Sequence, residues 1–310
     1  VASLSIDCNM PTDSRTIGRL PIFYLAYLAL GIIWGTNFLY MKWAAQLITP
    51  SQIVFLRVLF GFFPVLIYAI LQQQIRRSHL KSAHHFLVMS LLATTLYFYC
   101  FAQGTALLNS GIAGALSGLI PIFSAMTATL FLREEKLSRL KMLGILVGFA
   151  GVLIIARPWS TEDSIINIYG VLFMMLGSLS VGISFIYAKK FLTGKQISPA
   201  ALTSYQMLFA LLSMTLITDL EGVAQIQSDE KALIGLVFGL GILGTGAAYI
   251  LYYIIVNNLG AITASSVTYI PPIVALFIGF FIAGEIIVLA DWLGMAIILI
   301  GVYILRLGTK

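Results

Sequence analysis

Ten long apolar runs separated by short polar stretches organise the chain. They lie at about residues 22–43, 51–72, 86–105, 110–132, 140–156, 166–190, 199–218, 232–256, 261–283 and 289–307. A helix needs about 20 apolar residues to cross the hydrocarbon of a bilayer, whereas a membrane barrel is built from shorter alternating segments. The length of these runs and their richness in Leu, Ile, Ala and Gly therefore predict ten transmembrane helices, with 140–156 short for a full span. Ahead of them stands a polar tail, residues 1–21. Arg15 and Arg19 before the apolar run from Ile22 imitate a signal peptide, but no small-residue cleavage site follows. The runs use nearly all of the 310 residues and leave no stretch for a soluble catalytic or nucleic-acid-binding domain.

The two halves of this pattern are alike. Gly35-Thr-Asn-Phe-Leu-Tyr-Met-Lys42 resembles Gly182-Ile-Ser-Phe-Ile-Tyr-Ala-Lys189, 147 residues later, and Ser51 falls on Ser198. After a three-residue slip the offset becomes 150: Thr95 falls on Thr245, Tyr99 on Tyr249, Ile120-Pro121 on Ile270-Pro271 and Glu135 on Glu285. Leu143-Gly144 and Gly151-Val152 keep the same register with Leu293-Gly294 and Gly301-Val302. Chance explains identities between apolar residues better than it explains a Pro, a Glu and two Gly in one register. Each half holds five spans, and an odd number sets the second half upside down relative to the first. The expected fold is an all-α integral membrane protein of two inverted five-helix repeats, 22–156 and 166–307. Inverted repeats are a transporter architecture, with the substrate near the midplane where the repeats meet.

Charge sharpens the topology. Only 10% of residues are charged and 60% are apolar, with a mean hydropathy of +0.99; a soluble domain carries about 25% charged residues. The net charge of +6 is spread over short loops and so reads as topology rather than as nucleic-acid binding. Of the 18 Lys and Arg, fourteen fall on one side: Arg15, Arg19, Arg76, Arg77, Lys81, Arg133, Lys136, Arg139, Lys141, Lys189, Lys190, Lys195, Arg306 and Lys310. Lys42, Arg157 and Lys231 fall on the other, and Arg57 lies inside a span. The positive-inside rule places both termini in the cytoplasm of a multi-pass protein of the cell (inner or plasma) membrane. Cys8 and Cys100 give neither a disulfide framework nor a metal spacing.

The order of elements resembles the drug/metabolite transporter superfamily, and within it the EamA-type branch of two five-helix repeats. The resemblance covers about residues 22–307. It rests on Trp34-Gly35, Arg57, Pro121 and Pro271, Arg133-Glu134-Glu135 and Gly284-Glu285, and the glycines Gly144, Gly148, Gly151, Gly294 and Gly301. It implies a membrane carrier, commonly an exporter of amino acids or other amphipathic metabolites, and leaves the substrate open. The second half departs from the first, with Val181, Ser184 and Ser204 aligned to Trp34, Asn37 and Arg57, so an asymmetric site is expected.

The candidate substrate residues follow from polarity inside the spans. Trp34, Asn37 and Tyr40 share one helical face; a buried amide in lipid is costly unless paired, so this face points into a cavity or glues helices together. Thr95, Tyr99 and Gln103 form an i, i+4, i+8 stripe that Thr245, Tyr249 and Tyr253 repeat; cavity lining and an aromatic belt are the two readings. Arg57 either binds a substrate carboxylate or phosphate or snorkels to the interface. Ser184 completes the set as the partner of Asn37. Pro121 and Pro271 interrupt their spans and are read as gating positions or as plain kinks. Glu134, Glu135 and Glu285 fall at helix ends, and His79, His84 and His85 in a solvated loop.

The spans carry no mid-membrane Asp or Glu, which disfavours strongly cationic substrates and offers no proton relay. A catalytic dyad, a metal cluster and a diphosphate-binding motif are also missing from the sequence, so no enzyme, metal or cofactor is expected. The expected partners are a small-molecule substrate and the lipid bilayer, with no nucleic acid; the oligomeric state is open. A carrier of phosphorylated or nucleotide-linked solutes and a passive channel are the alternatives. The first would ordinarily need a second buried Lys or Arg beside Arg57.

Overall fold

A computed structural model of the chain describes residues 20–132, 138–158, 166–260, 263–264 and 266–308, and every regular element among them is helical. Ten helices follow in order: α1 Leu20–Ala44, α2 Pro50–Leu71, α3 Arg77–Leu107, α4 Ser110–Phe131 and α5 Arg139–Ala156. The second half supplies α6 Ile168–Phe191, α7 Pro199–Ile217, α8 Glu230–Leu259, α9 Ser266–Phe281 and α10 Leu289–Leu307. Nine are long and apolar enough to cross a membrane, and α9 is the shorter apolar tenth. The fold is the all-α, ten-helix membrane architecture that the hydrophobic pattern predicts.

Local chemistry sets where the helices start. Thr49 caps α2 through a reciprocal box with Gln52, and Pro50 occupies a first-turn position whose missing N–H costs nothing. Ser198 starts α7 by accepting from the Ala201 amide, with Pro199 at the first-turn position. The two prolines singled out by the repeat fall at a change of helix type. A 3₁₀ turn, Ser117–Leu119 in α4 and Ser266–Tyr269 in α9, gives way to an α-helical segment with Pro121 or Pro271 in its first turn. α3 and α8 carry wide π segments at Leu91–Thr95 and Gly235–Ala247, each containing one of the paired threonines.

Packing follows a pseudo-two-fold. α1 lies along α8 and α9, as α6 lies along α3 and α4; α2 packs on α8 as α7 packs on α3; α4 with α9, α5 with α10 and α2 with α7 each join equivalent helices. The glycines of α5 and α10 bring two backbones together: a Cβ at Gly151 would lie 2.6 Å from the Gly294 carbonyl oxygen, and one at Gly144 would lie 2.7 Å from that of Gly301. Such small-residue seams drive association where lipid gives no hydrophobic push.

The symmetry is incomplete. α1 also packs on α3, with the Phe38 and Phe101 rings 5.9 Å apart and Phe38 buried. The mirrored contact of α6 with α8 is slight at most among the described residues. Phe185, the repeat partner of Phe38, is half-exposed. The last turns of α1 are therefore drawn onto α3, and α6 makes no comparable contact with α8 among the described residues.

Candidate functional site

Two helices of the first half converge on one turn of α8. Arg57 of α2 is only 6% exposed, and its Nε–H donates to Thr245 Oγ1 at 2.9 Å. Thr245 in turn donates to the Leu240 carbonyl within the π segment, which fixes its hydroxyl as an acceptor toward Arg57. The guanidinium lies 3.7 Å from the ring centroid of Phe98 on α3, a cation–π stack. Tyr97 and Tyr249 stand within electrostatic reach of the same group. A guanidinium has five N–H donors, and among the described residues one is used and no carboxylate pairs with the charge.

Asn37 reaches the neighbouring residue of α8. Its Nδ2 donates to the Gly244 carbonyl at 3.4 Å, while its buried Oδ1 has no hydrogen-bond partner among the described residues. A Cβ at Gly244 would collide with that oxygen, so glycine is what lets α1 approach α8 here. At consecutive residues of α8, Arg57 thus keeps unused donors and Asn37 an unused acceptor among the described residues. Phe98, Tyr97 and Phe101 pack ring against ring beside it.

The other candidates are distributed around this centre. Tyr249 stacks on Tyr253, and the Tyr253 hydroxyl bonds Thr203 of α7. Trp34 lies 5.9 Å from Tyr252 by ring centroid. Thr95 faces α7, where its hydroxyl meets Ser213 at 3.4 Å. Ser184 donates to the Val181 carbonyl of its own helix. Tyr40 fits against the bare backbone of Gly235 and Gly239, with Trp43 beside it. Tyr99 is 36% exposed and packs edge-on to Phe173 of α6. Gln103 is half-buried. Around Arg57 the structure therefore brings together Thr245, Phe98, Tyr97 and Tyr249, with Asn37 next along α8, and leaves Tyr40, Tyr99 and Ser184 in helix contacts of their own. Ser204, aligned with Arg57, donates to the Ala200 and Val65 carbonyls instead.

Several features were not legible in the sequence. Tyr97 and Phe98 lie two residues and one residue before Tyr99, and Phe98 carries no polar signal. Arg157 and Asp291 form an ion pair at 2.9 Å between the end of α5 and the start of α10. The histidines correct an expectation: His79 and His85 are buried, and His85 Nδ1 shares a 2.8 Å hydrogen bond with the Tyr187 hydroxyl. They are not solvated because α3 begins at Arg77 and lays them against α6 and α7. Glu134 and Glu135 lie outside the described residues.

The family model for EamA-like transporters matches the chain twice, over residues 21–157 and 168–307. The chain belongs to the EamA-like transporter family. Its relatives within that type run nearly end to end with it. An uncharacterized transporter of Archaeoglobus fulgidus is 27% identical over 278 residues, 89% of this chain and 96% of its own length. The uncharacterized transporter YoaV of Bacillus subtilis is 26% identical over 90% of this chain and 94% of its own. The uncharacterized inner membrane transporter YedA of Escherichia coli K12 is 23% identical over 93% of this chain and 92% of its own. A solved crystal structure covers 93% of this EamA-like chain and 97% of that one, with a TM-score of 0.60 at 18% identity, and so shares the fold. The groove that Tyr269, Ile273, Leu299, Val302, Tyr303 and Arg306 line between α9 and α10 has none of its lining residues in the Arg57 cluster.

Proposed function

We propose that this EamA-like transporter is a secondary carrier of small amphipathic metabolites bearing a carboxylate, amino acids or related compounds foremost, which it moves by alternating access in the direction of export. The observation that carries this reading is the buried Arg57 guanidinium with unused donors, held on Thr245 with the unpaired Asn37 Oδ1 on the adjoining residue of α8. A charge buried at membrane depth is costly without a partner, and a solute carboxylate supplies one. An N–H on the same solute would satisfy Asn37, and the rings of Phe98, Tyr97 and Tyr249 suit an apolar side chain.

A single buried cation suits a single negative charge better than a phosphate. The carboxylate reading therefore stands ahead of phosphorylated or nucleotide-linked solutes. Two repeats of five helices, 22–156 and 166–307, move against each other in this scheme, and the 3₁₀-to-α junctions at Pro121 and Pro271 are the points of flexure. The Lys and Arg distribution supports cytoplasmic termini in a cell membrane. The direction rests on the family resemblance.

The test is counterflow into liposomes containing the purified protein, using a panel of radiolabelled amino acids. Uptake that saturates and is accelerated by unlabelled solute inside is the expected result. Flux that rises linearly with concentration would make the protein a channel. Uptake confined to phosphorylated solutes would replace the solute class.

A further inference from the structure

One turn, Leu108-Asn109 between α3 and α4, is clamped by opposite charges. Lys42, in the last turn of α1, donates to the Ala106 and Leu108 carbonyls at 3.1 and 2.7 Å and so closes the end of α3. Glu285, between α9 and α10, accepts from the Ser110 and Gly111 amides at 2.7 and 2.9 Å and so closes the start of α4. Asn109 Nδ2 adds a bond to the Ile286 carbonyl at 3.2 Å. Each helix end receives the charge its dipole favours, but the two charges come from opposite halves of the chain. The clamp joins the α3–α4 turn of the first repeat to the α9–α10 turn of the second.

It sits where α4 and α9 meet. A Cβ at Gly279 of α9 would lie 2.9 Å from the Gly111 amide nitrogen and 3.0 Å from its Cα, so the end of α9 and the start of α4 touch backbone to backbone. That Cβ would also strike Glu285 Oε2. α4 and α9 are equivalent helices that meet across the pseudo-two-fold, so a path opening on this face must part them. Parting Gly111 from Gly279 pulls Glu285 away from the two amides.

We infer that Lys42, the α3–α4 turn and Glu285 form a gate latch, closed in this structure, that must release for solute to pass this face of the membrane. Lys42 and Glu285 are positioning residues, and the latch rests on the chain being a carrier. Its test needs no solute, so its failure is distinguishable from failure of the solute class.

In a chain carrying Cys8→Ser, Cys100→Ala and Ser117→Cys, labelling of the introduced thiol by a membrane-impermeant maleimide is followed in proteoliposomes from each side. Ser117 lies two helical turns below the clamp on α4 and is buried. Glu285→Gln and Gly279→Ala should each speed labelling from the clamped face at least tenfold and leave the other side unchanged. Unchanged labelling together with a lowered melting temperature would overturn the latch and leave only helix caps. Should those variants fail to fold, an oxidised Asn109→Cys/Ile286→Cys pair holds the turns together without touching the charges. It should protect Ser117→Cys from that face until reduced; labelling indifferent to the cross-link would equally overturn the latch.

Discussion

The Nε–H of Arg57, on the second helix of the first repeat, donates at 2.9 Å to Oγ1 of Thr245, on the third helix of the second. The bond crosses between the halves and holds a cation whose charge meets an aromatic face and, among the described residues, no acid. Arg57→Lys keeps the charge but loses the planar fork and the stack on Phe98. It should raise the KM for a carboxylate solute about tenfold or more, the size of one charged contact of about 1.5–3 kcal/mol. Initial uptake rates across a concentration series check it, with Arg57→Gln expected to lose transport while the protein stays folded.

Asn37 separates binding from stability. Its Oδ1 is buried without a partner among the described residues, and its one hydrogen bond, from Nδ2 to the Gly244 carbonyl, is long at 3.4 Å, so an apolar side chain of similar shape loses little here. Asn37→Leu should leave the melting temperature unchanged or raised and weaken solute exchange. Thermal unfolding in detergent and counterflow, measured on the same preparation, show whether the two move in opposite directions.

Gly244→Ala forces a methyl onto Asn37 Oδ1. Overpacking of this kind costs about 1–3 kcal/mol. The melting temperature should fall, and Asn37→Ala in the same chain should restore part of it by vacating the space, the contact of the methyl with the Gly239 carbonyl at 2.8 Å remaining. A double-mutant cycle reads the coupling.

Arg157 and Asp291 join α5 to α10 with the carboxylate almost fully buried, at 1% exposure. Removing one partner of a buried pair costs about 3–5 kcal/mol. Arg157→Gln should therefore destabilise strongly, near the lower end of that range because the arginine is itself partly exposed. Asp291→Asn should cost less, since its side-chain oxygen still accepts from the Val288 amide. Chemical or thermal unfolding orders the two variants.

Much of this architecture is legible in one dimension because the bilayer imposes one rule: a spanning helix must be long and apolar. The repeat is legible because prolines, glycines and acids hold their register against an apolar background. The site is only half legible. Asn37 and Arg57 announce themselves as polar groups inside spans, and Thr245 through its repeat partner Thr95. Phe98 does not, since its role exists only once α2 lies against α3. From Thr95 the face toward α2 and α7 continues by i+3 to Phe98, whereas the i+4 stripe continues to Tyr99, which packs against α6. The Arg157–Asp291 pair joins residues 134 positions apart and falls at two helix ends, where charges are ordinary in sequence.

Paired solutes identical except for a carboxylate or a carboxamide, offered to the reconstituted protein and to Arg57→Gln, test the central claim most directly. The expected result is saturable, exchange-accelerated uptake of the carboxylate, weak uptake of the carboxamide, and loss of that preference in the variant. Equal uptake of both solutes by the unaltered protein, or a preference that survives in Arg57→Gln, would contradict a carboxylate carrier anchored at Arg57.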